Sequence, residues 1–245
     1  MTSCNLWPYP KIVVHRLAGV LAPENTMAAL RQADACRWRA VETDVMLASD
    51  GVLMLSHDEN LGRAVRAQGS VASKTSRELQ QLDAGILFSE AYRGEPMARF
   101  GDALAYCLAH DVWMNIEIKP ALGFALQTAQ ALARELPANL PQGRVLVSSF
   151  NEEALAAFAA LRGDVHCGVL FESDNDDWLR TAEKVHARTV HPHSSLVTEE
   201  LVRKAHAAGL GIMAWCVNTP EEAERLLALG ADALCTDRPD LLHAA

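Results

Sequence analysis

The sequence predicts an α/β protein, a TIM (β/α)8 barrel that carries a small inserted segment after its second strand. Short β-branched or apolar runs alternate along the chain with longer runs rich in Ala, Leu and Glu, and one region breaks this alternation. The length of 245 residues suits one such barrel, which needs about 250 residues. We therefore expect a single domain over residues 1–245, with an insertion over residues 46–99.

The alternation supplies eight strands and seven helices. The strand candidates are Lys11–His15, Ala40–Val45, Trp113–Lys119, Arg144–Ser149, His166–Phe171, Thr189–Pro192, Gly211–Val217 and Ala233–Thr236. The helix candidates are Asn25–Cys36, Asp102–Ala109, Phe124–Leu136, Glu152–Leu161, Asp177–Ala187, Thr198–Ala208 and Pro220–Leu229. Strands that are each followed by a helix form parallel βαβ units, because the helical crossover returns the chain in the same direction. Eight such strands favour a closed barrel over an open sheet.

The region that breaks the alternation begins with a predicted hairpin. Val52–His57 has the composition of a strand, but only residues 48–51 separate it from the extension of the second strand past Val45, and they end in Asp-Gly, a hairpin signal. A parallel crossover needs about a dozen residues, so the two strands are predicted to be antiparallel. A short helix is expected later in the insertion, over Ser76–Leu82.

The hairpin predicts where one histidine lies. Counting outward from a four-residue turn pairs Asp44 with Leu55 and places His57 opposite Glu42. Side chains alternate between the two faces of a strand, so these four residues are expected to share a face. His57 should therefore reach the same pocket as the two acids.

Composition and charge exclude several classes of protein. The formal net charge of −9 leaves no broad basic surface for nucleic acid or an anionic membrane, so an anionic substrate would need a cation in its site. No stretch reaches the roughly 18 apolar residues of a membrane span, and no signal segment is recognised, which makes the cytoplasm the default location. The six cysteines form no C-x-x-C pair and are typical of isolated thiols.

Acidic side chains recur on one face of two predicted strands. Glu42 and Asp44 are two positions apart in the second strand, and Glu117 and Lys119 are two positions apart in the strand at 113–119. The alternate positions are apolar and should pack against the outer helices; they are Val41, Val45, Ile116 and Ile118. The polar faces should point into the barrel.

These acids predict a metal site. Three carboxylates that converge near strand ends repel one another if they are ionised and unpaired, and an oxygen-ligated Mg²⁺ or Ca²⁺ removes that repulsion. Zn²⁺ suits such ligands less well, whereas Mn²⁺ stays open. Alternatively, Glu42 and Asp44 are barrel-interior residues bridged to Arg16 or Lys119. Acid-containing pairs on neighbouring strands, with His15 and Arg16 at the end of the first strand, favour the metal site.

Six motifs, in order along Lys11 to Asp240, resemble those of glycerophosphodiester phosphodiesterases. They are His-Arg at 15–16 with Ala-Pro-Glu-Asn-Thr at 22–26, Glu-Thr-Asp-Val at 42–45, Asp-Gly at 50–51 with His-Asp at 57–58 and Leu-x-Arg at 61–63, Asn-Ile-Glu-Ile-Lys at 115–119, Ala-Trp-Cys-Val-Asn at 214–218, and Thr-Asp-Arg-Pro at 236–239. Any one of these motifs is weak. Six in the same order are specific.

The resemblance implies an activity and residue roles. The activity is hydrolysis of glycerophosphodiesters, which are small-molecule substrates, to sn-glycerol 3-phosphate and an alcohol, with a divalent metal ion as cofactor. The implied metal ligands are Glu42, Asp44 and Glu117, the phosphate-binding residues are Arg16 and Lys119, and the general acid/base pair is His15 and His57. Trp215 either packs on the glycerol or fills the barrel mouth.

The chain departs from the family pattern at two positions near these residues. Leu17 stands where the family has the Gly after His-Arg, and this side chain is expected to narrow the substrate entrance or shift the loop. Cys216 stands where the family motif has Thr. Neither change removes a catalytic group, but Leu17 puts the range of substrates in doubt.

Two alternative functions were weighed. A phosphoinositide- or sphingolipid-directed phospholipase on a related barrel would end at a cyclic phosphate, and it would need membrane-binding apolar or basic loops that the sequence does not obviously contain. A barrel that binds a phosphodiester without turnover would need no proton transfer, so the two histidines argue against it.

Overall fold

A computed structural model describes residues 6–174 and 177–242. Its strands are β1 (Ile12–Val14), β2 (Ala40–Leu47), β3 (Leu53–Leu55), β4 (Trp113–Ile118), β5 (Val145–Ser149), β6 (His166–Phe171), β7 (Thr189–Pro192), β8 (Gly211–Ala214) and β9 (Ala233–Thr236). Its α-helices are α1 (Met27–Ala35), α2 (Ser76–Leu79), α3 (Phe100–Ala109), α4 (Ala125–Glu135), α5 (Glu152–Leu161), α6 (Trp178–Lys184), α7 (Glu199–Ala207) and α8 (Pro220–Leu229).

The parallel strands close into a barrel. They follow the order β1, β2, β4, β5, β6, β7, β8 and β9, and β9 pairs in parallel with β1, with Val14 opposite Thr236. Among the strands of the described residues, only β3 lies outside this ladder, as an antiparallel partner of β2. Helices follow the strands around the ring, which confirms the predicted TIM barrel.

Capping residues explain where the helices begin and end. The side chain of Thr26 accepts a hydrogen bond from the Ala29 N–H, so α1 begins after it and not at Asn25 as predicted. Thr219 caps α8 in the same way, and Gly230, with a φ of 103°, ends that helix as predicted. Most of the other predicted limits agree with the structure to within two residues.

Two apolar layers hold the barrel. The alternate positions on β2 and β4 are at most 1% exposed and pack under the helices, as predicted; they are Val41, Val45, Ile116 and Ile118. Inside the barrel, Trp7 and Tyr9 pack against Trp113, at the start of β4, and Leu146. The segment before β1 therefore covers the N-terminal end of the barrel, which leaves the other end for a site.

The predicted register of the hairpin is wrong by one residue. Leu55 pairs with Val45 and not with Asp44, because the loop contains three residues: the Ala48 N–H donates to the Val52 carbonyl at 2.9 Å. Gly51 takes a φ of 81° in this loop, a conformation that glycine adopts at no steric cost. Leu55 therefore lies on the outer face, in the core beneath the helices.

His57 reaches the barrel mouth in spite of this shift. The β2–β3 ladder ends at Leu55, the Ser56 N–H donates to the Asp44 carbonyl at 3.1 Å, and the chain bends at His57. The bend releases His57 from strict alternation and turns it toward the cavity that the acids line. His57 therefore lies at the predicted pocket, although the predicted register that led there is wrong.

The insertion has its own small apolar cluster, which includes Met46, Met54, Val71 and Leu79. Among the helices of residues 6–174 and 177–242, none has the length and apolar character to cross a membrane. Within the same residues five cysteines are free thiols, namely Cys36, Cys107, Cys167, Cys216 and Cys235. Cys4 lies outside the described residues.

Candidate active site

A cavity of about 590 Å³ opens at the C-terminal end of the barrel. Seven of the eight predicted site residues line it: His15, Arg16, Glu42, His57, Glu117, Lys119 and Trp215. The eighth, Asp44, is fully buried next to them. The structure thus brings together every predicted site residue.

The three acids converge on one point. Glu42 and Asp44 lie on β2 and Glu117 on β4, and one carboxylate oxygen from each lies within 4.8 Å of the others. The parallel register explains this, because it places Asp44 directly opposite Glu117. Alternation along β2 then brings Glu42 to the same side of the sheet.

Burial sets the charge of this cluster. Burial raises the pKa of Glu42 well above its ordinary value, and the neighbouring Asp44 and Glu117 raise it further. Burial and the charge of Asp44 raise the pKa of Glu117 to about 8. Burial acts in the same direction on Asp44, but Lys119, His57 and Arg16 outweigh it and lower the pKa of Asp44. At neutral pH the three acids therefore do not all ionise without an added cation.

Buried oxygen atoms without hydrogen-bond partners are available as ligands for such a cation. Oε1 of Glu42, Oδ1 of Asp44 and Oδ1 of Asn115 are buried without a hydrogen-bond partner. Lys119 Nζ lies 3.7 Å from Asp44 Oδ1 and 3.5 Å from Glu117 Oε1, so it neutralises the cluster only in part. A site made of carboxylate and amide oxygens suits a hard divalent cation such as Mg²⁺ or Ca²⁺.

His15 is held by a partly exposed carboxylate that follows the neighbouring strand. It follows β1, and its Nδ1 lies 2.6 Å from Oδ1 of Asp237, which follows β9. Asn218 donates to the other Asp237 oxygen at 3.0 Å. Burial acts to raise the pKa of Asp237, but the hydrogen bond and the charge of His15 outweigh it and lower that pKa to about 2. The opposite ring nitrogen, Nε2, faces Glu42 at 3.9 Å and is the atom free to face a ligand.

His57 has a similar arrangement on the insertion. Its Nδ1 lies 2.6 Å from Oδ1 of Asp58, which is also bonded to Arg63. Arg63 in turn donates to both oxygens of Glu24 at 2.6 Å. Burial lowers the pKa of His57, while the charge of Asp44 and the Asp58 hydrogen bond oppose that shift. Each imidazole thus has one nitrogen held by a carboxylate.

Two cations complete the cavity wall. The backbone N–H of Arg16 donates to Glu42 Oε2 at 3.0 Å, and its guanidinium contacts Glu24 at 3.1 Å. Arg16 Nε is buried without a hydrogen-bond partner. Lys119 follows β4 and Arg16 follows β1, the two strands that flank β2. The two cationic residues therefore come from opposite sides of the strand that carries Glu42 and Asp44.

Sequence reasoning missed three residues that hold this site. Asn25 was predicted only as the first residue of a helix, but Thr26 caps α1, and Asn25 Nδ2 donates to Asp44 Oδ2 at 2.8 Å. Asn115 is two positions before Glu117 on β4 and therefore lies on the same face of the strand. The alternation of faces could have identified it from the sequence. Asp237 directly follows the last strand, which is also a signal for the barrel mouth.

Two further predictions concern the cavity entrance. Trp215 follows β8, its indole N–H donates to the His191 carbonyl at 2.9 Å, and its ring packs edge-on against Phe150 at 5.4 Å. It therefore forms one wall of the mouth. Leu17 does not narrow the entrance: it is fully buried in the core beneath the helices, with a φ of 79°. The expectation of a narrower entrance is wrong, because the loop turns the side chain away from the cavity, whereas the alternative of a shifted loop stays a prediction.

The fold and the mouth of the barrel define the class of protein, a TIM-barrel hydrolase suited to a phosphate ester. The particular family follows from comparison with known proteins. Residues 15–241 match the Glycerophosphoryl diester phosphodiesterase family, and the chain belongs to it. The recognition made from the six motifs is thereby confirmed.

Similar proteins support the same family. A glycerophosphodiester phosphodiesterase of Caldanaerobacter subterraneus subsp. tengcongensis is 29% identical, covering 94% of this chain and 95% of that protein. One of Bacillus altitudinis is 31% identical, with coverage of 94% and 95%. A phosphodiesterase structure from Oleispira antarctica, in complex with the product sn-glycerol-3-phosphate, is 31% identical, covers 94% of both chains and has a TM-score of 0.87.

Proposed function

We propose that the protein hydrolyses glycerophosphodiesters to sn-glycerol 3-phosphate and an alcohol, with a divalent metal ion bound by Glu42, Asp44 and Glu117. One observation carries this proposal: two imidazoles, each held by a carboxylate, line the cavity beside which three acids converge. The product named for the Oleispira antarctica structure agrees with this choice of substrate.

The metal ion suits the residues present. It would satisfy the buried unpaired oxygens of Glu42 and Asp44, with Glu117 and Asn115 beside them. When bound, a divalent ion of this kind neutralises charge on the phosphate and polarises a phosphorus–oxygen bond. The donor set favours Mg²⁺ or Ca²⁺.

The remaining chemistry falls to side chains of the chain itself. Arg16 and Lys119 would bind the phosphate oxygens and stabilise the charge that develops during attack. One imidazole takes the proton of the attacking hydroxyl, and the other gives a proton to the leaving alcohol oxygen. Asp237 and Asp58 keep the opposite ring nitrogens fixed, which leaves Nε2 of His15 and of His57 for these transfers. Trp215 would pack on the glycerol, since it forms one wall of the mouth.

The direct test is release of glycerol 3-phosphate from glycerophosphocholine, with and without chelator. We expect turnover that EDTA abolishes and that Mg²⁺ or Ca²⁺ restores. Glu117→Gln should remove turnover at the same metal concentration, whereas Glu153→Gln, on the outer helix α5, serves as a matched control. Full turnover in excess chelator would contradict the metal requirement. A cyclic phosphate as the final product would favour the phospholipase alternative.

Three other predictions from the sequence stay predictions. We propose that residues 1–245 form one domain with residues 46–99 as an insertion; the separate apolar cluster of that insertion supports the division. We also propose a cytoplasmic location, which agrees with the free thiols of the five described cysteines. A small-molecule glycerophosphodiester is the proposed partner.

A further inference from the structure

A second group of metal-type ligands surrounds one nitrogen of His15. Cys216 follows β8 and places its Sγ 3.4 Å from His15 Nδ1. Asp237 follows β9 and places Oδ1 2.6 Å from the same nitrogen. One donor atom from each of these residues lies within 4.8 Å of the other two. All three residues line the cavity, so an ion from solution can reach them.

This group differs chemically from the three acids. The acids offer oxygen atoms alone, which suit Mg²⁺ or Ca²⁺. The second group offers a ring nitrogen, a sulfur and a carboxylate oxygen, which is the ligand set of zinc. Ligands bonded to zinc at about 2.0–2.3 Å in a tetrahedron lie roughly 3.3–3.7 Å apart. The observed spacings of 2.6 and 3.4 Å need only small side-chain movements to reach that geometry.

The local charge also favours a cation. Burial, together with the charges of Asp237 and Glu42, raises the pKa of the Cys216 thiol to about 12. An ordinary thiol is protonated at neutral pH. The same negative charges attract a divalent ion, and a bound ion displaces the thiol proton. The Thr of the related motif offers no thiolate, so this ligand set depends on Cys216.

We propose that His15, Cys216 and Asp237 form a zinc-binding site that inhibits the enzyme and is separate from the three-acid centre. Binding of Zn²⁺ at Nδ1 displaces two protons: the thiol proton goes to solvent, and the imidazole proton, which faces Asp237 in the zinc-free site, moves from Nδ1 to Nε2. His15 can then no longer accept a proton at Nε2, and Asp237 turns from the ring to the ion. The binding stands on the geometry alone, whereas the inhibition rests on the proposed function.

Cobalt tests the binding without any assay of activity. Co²⁺ replaces Zn²⁺ in such sites, and a thiolate ligand gives it a charge-transfer absorption in the near ultraviolet. We expect this absorption in the wild type and in Cys36→Ser, the matched control, because Cys36 is an exposed thiol. It should be absent in both Cys216→Ser and Cys216→Thr. No absorption in the wild type, or absorption that survives both Cys216 variants, would overturn the proposal.

Inhibition is then measured with Mg²⁺ at saturation and Zn²⁺ titrated, each variant being normalised to its own rate without zinc. Cys216→Ser should raise the half-inhibitory Zn²⁺ concentration roughly tenfold or more, because it removes the thiolate ligand, whereas Cys36→Ser should not. Equal sensitivity of all three proteins would place inhibitory zinc elsewhere and overturn the inhibitory role. If the wild type hydrolyses no glycerophosphocholine, the proposed function fails, while the cobalt spectrum still decides the site.

Discussion

The two histidines of the cavity stand on parts of the molecule that are stabilised differently. His15 follows β1, and its partner Asp237 follows β9, so both are fixed by neighbouring strands of the closed barrel. His57 lies on the inserted hairpin, beyond the end of its short antiparallel ladder, and its partner Asp58 is the next residue. The His57 side chain is also the more exposed of the two, at 26% against 15%.

The different positions of the two histidines show how the site is assembled. The barrel fixes the acids and one imidazole through strand pairing, whereas the insertion brings the second imidazole from outside the parallel ladder. Ionic contacts from Arg63 to Asp58 and Glu24 connect the insertion to the loop after β1. Changes on the hairpin should therefore affect catalysis more than stability, and changes on the barrel side should affect both.

The largest effect is expected from removal of either imidazole. His15→Ala and His57→Ala should each lower kcat by roughly 10²–10⁴, because each removes a proton-transfer group. The two variants should differ in stability: His57→Ala should melt at the wild-type temperature, and His15→Ala should melt lower, since it leaves Oδ1 of Asp237 without its hydrogen-bond partner. Steady-state kinetics and circular dichroism measure both. A variant with near wild-type kcat would remove that histidine from the mechanism.

A smaller effect is expected from the carboxylates that position the imidazoles. Asp237→Asn and Asp58→Asn should each lower kcat by roughly tenfold or more, because such a carboxylate fixes the tautomer of the ring. Asp58 acts to raise the pKa of His57. Its loss should therefore shift the His57 limb of the pH–rate profile to lower pH. A Asp58→Asn profile that overlays the wild type would show that Asp58 does not position His57.

Metal binding should depend on pH through the barrel acids. The pKa of Glu117 is raised to about 8 from an ordinary 4.5, and that of Glu42 is raised as well. A raised carboxyl pKa contributes stability that is present below pH 4.5 and is lost as pH rises toward 8. Mg²⁺ should replace those protons, so it should raise the melting temperature more at pH 8 than at pH 5. Thermal unfolding at both pH values, with and without Mg²⁺, measures this; an equal shift would contradict it.

The smallest effect on function is expected at Leu17. Leu17→Ala removes a fully buried side chain from the barrel core, which should cost about 2–5 kcal/mol of unfolding free energy. The order of preference among head-group alcohols should not change, because the side chain points away from the cavity. Chemical denaturation and rates on several glycerophosphodiesters measure the two effects. A changed order of substrates would restore Leu17 as a determinant of specificity.

Local patterns in the sequence were sufficient to predict the barrel and most of the site. Alternation with a period of two placed Glu42, Asp44 and Glu117 on inward faces, and the structure has them there. The register of the hairpin could not be predicted from alternation, because a three-residue loop with Gly51 at positive φ shifts the strand pairing by one residue. Asp-Gly marks a hairpin but does not fix the loop length.

The residues that were missed depend on contacts between distant parts of the chain. Asn25 supports Asp44 only because its backbone takes a φ of 55° and turns its amide inward. Asp237 meets His15 only because β9 closes the barrel against β1. The position of Asp237 after the last strand indicates the barrel mouth, but no local pattern indicates which residue either side chain contacts.

The central claim is that an imidazole from the barrel and an imidazole from the insertion act as one pair. The double variant His15→Ala/His57→Ala tests it directly when its kcat for glycerophosphocholine is compared with those of the single variants. Groups that act as a unit have strongly non-additive effects, so the double variant should be about as slow as the slower single variant. A kcat reduced by the product of the two single effects would contradict the account, because it would mean that the two histidines act independently.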